Sequence, residues 1–212
     1  MLNVNTYREL KKKVKIDENN EEMVKLPETF ETFKPHLYQK LGAPYQDKSP
    51  FYIRETVLNK LIEAEKKLYK LEKFKFKIFD IYRPIQVQKF MIEYDTNKYG
   101  KEIAETYWSP ILKDVSLSPP PHSTGGALDL TIIDENGNEL NMGTKIDELS
   151  EKSHFDFFKL DDDKEVFENR KLLNDIMVSV GFTQLPTEWW HFSYGDQIWG
   201  VDNNCSALYG MI

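Results

Sequence analysis

Ala127-Leu128-Asp129-Leu130-Thr131-Ile132-Ile133, followed by Asp134-Glu135-Asn136-Gly137-Asn138, is the stretch that decides the fold of this chain. The first part is aliphatic and β-branched and reads as a strand. The Asp/Asn/Gly run after it reads as a tight turn that brings the chain back beside itself. On its N-terminal side, Val57, Leu58, Leu61, Ile62, Ala64, Leu68 and Leu71 recur at three- and four-residue spacing, which predicts an amphipathic helix over 55–73. Phe74, Phe76 and Ile78 alternate with Lys75 and Lys77, a strand running to Tyr82. Pro84 stands just ahead of a helix over about 85–97, a favoured place for proline. Residues 108–121, rich in Pro and Ser, are loop. On the C-terminal side, Val166, Phe167, Leu172, Leu173, Ile176, Met177 and Val180 predict a helix over 163–180 that Gly181 ends. Short strands are expected over 189–194 and 197–201. Residues 1–50, broken by Pro27, Pro35, Gly42 and Pro44, read as an irregular wrap with one short helix, part of the same domain as 51–212. Helices and hairpins mix without a βαβ repeat. The expected class is therefore α+β, a single domain with a central, mostly antiparallel sheet and helices packed against it.

Composition bounds the chemistry. At roughly 150 residues per domain, 212 residues make one domain or one with an extension. Such a chain buries about 70% of its unfolded surface and needs neither disulfide nor metal merely to fold. Cys205 is the single cysteine, so an internal disulfide and a thiolate metal cluster are both excluded. Any metal site must draw on carboxylates and four histidines. The net charge of −7 argues against a nucleic-acid partner, which leans on an excess of Lys and Arg. No stretch matches the roughly 7–15 apolar residues of a signal peptide or the roughly 20 of a spanning helix. The expectation is a soluble cytoplasmic protein without a membrane partner. The charge runs Lys11–Lys13 and Asp161–Asp163 are expected on solvated faces.

Histidine stands near carboxylate in two places, Pro121-His122-Ser123-Thr124-Gly125-Gly126-Ala127-Leu128-Asp129 and Glu188-Trp189-Trp190-His191-Phe192. A hydrolytic zinc needs three protein ligands, an open position and a nearby general base. His122, Asp129 and His191 could supply the ligands, and Glu188, three residues before His191, the base. Gly125 and Gly126 allow a tight turn between His122 and Asp129. The helix-borne HExxH pattern is absent. Spacing alone leaves a second reading open, in which His122 caps a proline-flanked loop and Asp129 satisfies buried backbone groups. Asp129 lies between Leu128 and Leu130, and a buried carboxylate is costly unless paired or metal-bound, which favours the metal.

At these residues the chain resembles the zinc D-alanyl-D-alanine dipeptidases of the vancomycin-resistance type, related to the D,D-carboxypeptidases and to the hedgehog zinc fold. Ser118 and His122 to Asp129 resemble that family's S-x-H-x-x-G-x-A-x-D signature. Glu188 to His191 resembles its E-x-x-H, tryptophan pair included. Asp80-Ile81-Tyr82-Arg83-Pro84 resembles D-x-Y-R-P, and Asn141-Met142-Gly143-Thr144-Lys145-Ile146-Asp147 resembles D-M-G-x-x-F-D. The likeness spans about residues 50–200. It implies one zinc ion per chain on His122, Asp129 and His191, with Glu188 as catalytic acid/base. It implies that Arg83 stabilises the developing oxyanion and Asp147 holds the substrate's amino group, with Ser118 and Tyr82 also at the substrate. Two features depart from the pattern. Pro120 stands where the family has a serine two residues before the first zinc histidine, and no tyrosine/asparagine substrate segment is recognisable before residue 50.

The reading is a zinc metallopeptidase acting on a small D-amino-acid peptide, D-Ala-D-Ala first. The alternatives are a D,D- or L,D-carboxypeptidase trimming longer cell-wall peptides and a zinc-bearing binding module without catalysis. Glu188 and Arg83 together argue against the latter, because a structural zinc needs neither. Asp147 has a rival role as a helix N-cap. His154 is expected to be structural, His36 a loop residue, Trp189 and Trp190 core, and Cys205 inert for want of a basic neighbour.

Overall fold

The computed structural model describes residues 4–45, 50–108 and 111–212. Residues 1–3 and 46–49 of the expected wrap and 109–110 of the proline-rich loop lie outside them. In chain order the elements are α1 (Val4–Lys11), β1 (Met23–Lys25), β2 (Glu31–Thr32), α2 (Leu37–Lys40), β3 (Tyr52–Arg54), α3 (Glu55–Glu72), β4 (Lys75–Asp80), α4 (Ile85–Tyr99), α5 (Lys101–Tyr107), β5 (Ala127–Ile133), α6 (Lys164–Val178), β6 (Thr183–Gln184), β7 (His191–Ser193) and α7 (Gln197–Asn203). β1 and β3 form an antiparallel pair. The main sheet has the order β2-β4-β5-β7-β6, with β2 parallel to β4 and every other pairing antiparallel. The architecture is α+β.

β5 is buried at every residue, because it is the middle strand and is covered on both faces. Leu128, Leu130 and Ile132 point into the main core, where they meet Val57, Leu61, Ala64 and Leu68 of α3 and Leu173, Ile176 and Met177 of α6. Each such aliphatic contributes roughly 1.5–3 kcal/mol by leaving water. Side chains alternate along a strand, so Asp129 and Thr131 face the other way, towards a layer built by α2, α4 and α5. α6 starts where the Asp163 side chain accepts from the Val166 backbone amide at 3.1 Å, a regular N-cap. The chain leaves this helix through Gly181, whose φ of +98 few other residues tolerate.

Two expectations are corrected, and a third residue sits deeper than its loop position suggests. The segment expected as a strand over 197–201 is the helix α7, started by Asp196, whose side chain accepts from the Trp199 amide at 2.9 Å. Lys11 is buried, not solvated: α1 lies against α7, and the Lys11 ammonium donates to the Pro119 carbonyl at 2.8 Å. His36 is a loop residue, as expected, but a buried one. It precedes α2 and sits buried among Tyr38, Tyr45, Phe51 and Phe79, with Nε2 3.5 Å from the Asp80 carboxylate. Among the described residues no helix is long and apolar enough to cross a membrane.

Candidate metal centre

The ladder of the main sheet places three polar side chains abreast. Asp129 of β5 pairs with Asp80 of β4 on one side and with His191 of β7 on the other. A register shift between Ile78 and Asp80 brings Asp80 onto the face of Asp129. Two like charges side by side repel, and Arg83 resolves this by donating from Nε to Asp80 Oδ2 at 2.8 Å while Nη2 lies 3.5 Å from Asp129 Oδ2. His122 arrives from a single 3-10 turn, Pro121–Thr124, that ends at Gly125 with φ +72. Gly126 follows with no room for a side chain, since a Cβ there would meet the Tyr194 carbonyl at 2.5 Å.

His122 Nδ1 donates to the Ile81 carbonyl at 2.8 Å, which leaves the lone pair on Nε2. That atom lies 3.1 Å from Asp129 Oδ2 and 3.2 Å from His191 Nδ1, and His191 Nδ1 lies 3.0 Å from Asp129 Oδ1. Three buried electron-pair donors thus converge, an arrangement that needs a cation or a proton between them. A tetrahedral zinc with bonds of about 2.0–2.1 Å keeps its ligand atoms about 3.3 Å apart, close to these separations. Among the described residues this is the one group of three His, Cys, Asp or Glu able to hold a metal ion. The electrostatics agree. Burial alone would raise the Asp129 carboxyl, but the His122 and His191 rings outweigh it and hold it well below the usual range. Burial alone would discharge His191, but Asp129 outweighs it and raises the ring's affinity for a proton.

Around this cluster stand further titratable groups. Glu188 Oε2 is 3.7 Å from His191 Nδ1 and keeps 23% of its side chain exposed. Burial raises its pKa, against the opposing pull of His191. Asp147 follows the loop 141–146 and has φ +62. Burial pushes its carboxyl up to about 8, with Arg83 working against the shift and Asp129 adding to it. No helix starts at Asp147, so the N-cap role does not apply. The Tyr38 hydroxyl donates to Asp147 Oδ2 at 2.6 Å and accepts from Arg83 Nη2 at 3.2 Å, and Arg83 Nη1 donates to Gln88 Oε1 at 3.1 Å. Arg170 steadies the loop from behind. It is buried, and its guanidinium donates to the carbonyls of Met142, Lys152 and His154.

His122, Asp129, His191, Glu188, Arg83 and Asp147 all line one cavity, with Gln88, Trp108 and Trp190 among its other walls. Ser118 and Tyr82 are buried but do not line it, and the Tyr82 hydroxyl donates instead to the Ile212 carbonyl at 3.3 Å. Trp189 and Trp190 belong to the core, and Trp190 also walls the cavity. His154 lies outside it. Two residues of the site escaped the sequence reading. Gln88 was open to detection as a polar residue on the buried stripe of α4, one turn after Arg83. Tyr38 carries no local signal at all.

Residues 46–208 match the peptidase M15 family, described as D-ala-D-ala dipeptidase. The chain belongs to that family. It is a peptidase, from a metal-dependent family, and its His-Asp-His cluster suits a metal. A D-alanyl-D-alanine dipeptidase of Synechocystis sp. is 38% identical over 204 residues, 84% of this chain and 83% of that protein. The D-alanyl-D-alanine dipeptidase of Escherichia coli K12 is 36% identical over 115 residues, 54% of this chain and 52% of its own. That of Enterococcus faecium is 28% identical over 127 residues, 57% and 62% respectively. Within the M15 family match fall all the residues lining the cavity; Tyr38 precedes it.

Proposed function

We propose that this M15 peptidase hydrolyses D-Ala-D-Ala, or a closely similar D-amino-acid dipeptide, at a zinc centre held by His122, Asp129 and His191 with Glu188 as general base. The observation that carries the reading is the convergence of three buried donors with a fourth, partly exposed carboxylate 3.7 Å from one of them. Only the fourth is free to handle a proton. Bound at the three donors, zinc supplies Lewis acidity towards a scissile carbonyl and lowers the pKa of water towards about 7. Glu188 takes the proton from the attacking water and passes it to the leaving amine, a role that its raised pKa suits. Arg83 presents a fixed positive charge to the oxyanion that develops on the carbonyl. Asp147, nearly neutral by burial, regains its charge beside a substrate ammonium, and Tyr38 holds the carboxylate in place. The relatives named as D-alanyl-D-alanine dipeptidases support the substrate.

The test is a panel of D-Ala-D-Ala, L-Ala-D-Ala, D-Ala-D-lactate and a wall tripeptide, each with and without chelator. Cleavage of D-Ala-D-Ala that chelation abolishes is expected. Activity indifferent to chelation would overturn the metal centre. Preference for the tripeptide would transfer the protein to the carboxypeptidase reading.

A further inference from the structure

Behind the three converging donors, His191 is backed by a buried chain of polar side chains. His191 turns Nδ1 towards Asp129 and His122, and its other nitrogen, Nε2, lies 3.2 Å from Ser193 Oγ. The Ser193 hydroxyl lies 2.8 Å from Asp196 Oδ2. Asp196 Oδ1 in turn accepts from the Trp199 amide at 2.9 Å. All three side chains are buried: 3% of His191, 0% of Ser193 and 1% of Asp196 remains accessible. Water therefore cannot stand in for any partner.

We propose that Ser193 and Asp196 are positioning residues that keep the His191 proton on Nε2 and so leave the Nδ1 lone pair for the metal. The proposal rests on the zinc reading above. A neutral imidazole carries one proton, and the nitrogen that binds a metal must be the bare one. A serine hydroxyl alone does not decide which nitrogen that is, because it both donates and accepts. Asp196 removes the ambiguity. A carboxylate only accepts, so Ser193 must donate to it, and the serine oxygen is left as an acceptor facing Nε2–H. The carboxylate cannot swing away, because its other oxygen caps the start of α7. His122 achieves the same end directly, through the Ile81 carbonyl, which is also acceptor-only. Each histidine of the cluster thus has an acceptor-only group behind it, one a backbone carbonyl and the other a carboxylate acting through a hydroxyl.

Three variants test this: S193A, S193T and D196N. The readouts are zinc affinity of the metal-free proteins, by competition with a chelating dye, and the ring proton of His191 in the zinc-loaded protein, by long-range 1H–15N NMR. Circular dichroism checks the fold. S193A is expected to weaken zinc binding by about 10–100-fold, and S193T, which restores the hydroxyl, to recover most of it. D196N should be at least as weak as S193A. Its amide oxygen stays on the Trp199 N–H, so its NH2 faces Ser193, turns the hydroxyl round to donate to Nε2 and drives the proton to Nδ1. Wild-type zinc affinity in S193A or D196N would overturn the proposal. Should both variants fail to fold, the wild type decides: a His191 bare at Nε2 in the zinc-loaded protein overturns it, and a slowly exchanging Nε2 proton upholds it. A wild-type protein that binds no zinc would instead remove the metal reading itself.

Discussion

The Tyr38 hydroxyl donates to Asp147 Oδ2 at 2.6 Å, joining residues 109 positions apart in the chain. The same oxygen accepts from Arg83, so one phenol ties the acidic wall of the cavity to its basic wall. Tyr38→Phe keeps the aromatic packing and removes only this tie. A hydrogen bond to a charged group contributes roughly 1.5–3 kcal/mol, so KM for D-Ala-D-Ala should rise about 10- to 100-fold with a smaller change in kcat. An unchanged KM in steady-state assays would show that Tyr38 does not position Asp147.

Glu188→Gln keeps the size of the side chain and removes its capacity to take a proton. Loss of a general base typically costs about 10²–10⁴ in rate. The variant should retain wild-type zinc content by elemental analysis and lose turnover on that scale. Cleavage at the wild-type rate would remove Glu188 from the mechanism.

His122→Ala and Asp129→Ala should each lose the metal itself, since each takes away one of three converging donors. Elemental analysis after dialysis reads this without an activity assay. Zinc bound at one ion per chain in either variant would exclude that residue as a ligand.

Arg83→Lys retains the charge but not the fork that reaches Asp80, Gln88 and Tyr38 together. Loss of an oxyanion donor usually costs about 10²–10³ in turnover, and a loss of that order in kcat is expected. A variant with normal kcat and raised KM would assign Arg83 to substrate binding.

Lys11 gives a pH dependence of stability. Burial pushes its pKa down to about 8 from 10.5, against the pull of Asp196. Between those values the unfolded chain holds the proton that the folded protein has released, so stability gains with rising pH over that window. The full cost of the buried charge is present below about pH 8. Lys11→Met has no such charge, so its advantage over the wild type, up to about 3 kcal/mol, should shrink from pH 8 to pH 10.5. Urea unfolding of the metal-free proteins across that range measures it. Parallel curves would show that the ammonium stays charged in the fold.

The elements that the sequence announced are those whose cause is local. α3, α6 and β5 could be read because their periodicity comes from one buried stripe or one buried strand. α7 was misread because Ile198, Trp199 and Val201 suit a strand by composition, while the deciding signal is one cap, Asp196. At the site, His122, Asp129, His191 and Glu188 stood out because metal chemistry restricts residue types and spacing. Tyr38, Arg170 and Lys11 act through partners 16 to 109 residues away, and no pattern within the chain encodes such a meeting. His36 is similar, hidden behind Asp80 by an aromatic box that four separate segments build.

The pairing of Asp129 with Asp80 and His191 on neighbouring strands has a consequence for assembly. A slip of one residue along β5 would turn Asp129 to the opposite face and scatter the three donors. A metal ion would therefore recognise only the correctly aligned sheet, and its binding energy would add to the stability of that alignment alone. Metal supply would then act as a proofreader of the fold as well as a switch for activity. The melting temperature of the chelated protein should accordingly lie below that of the loaded one, and equal values would refute the link.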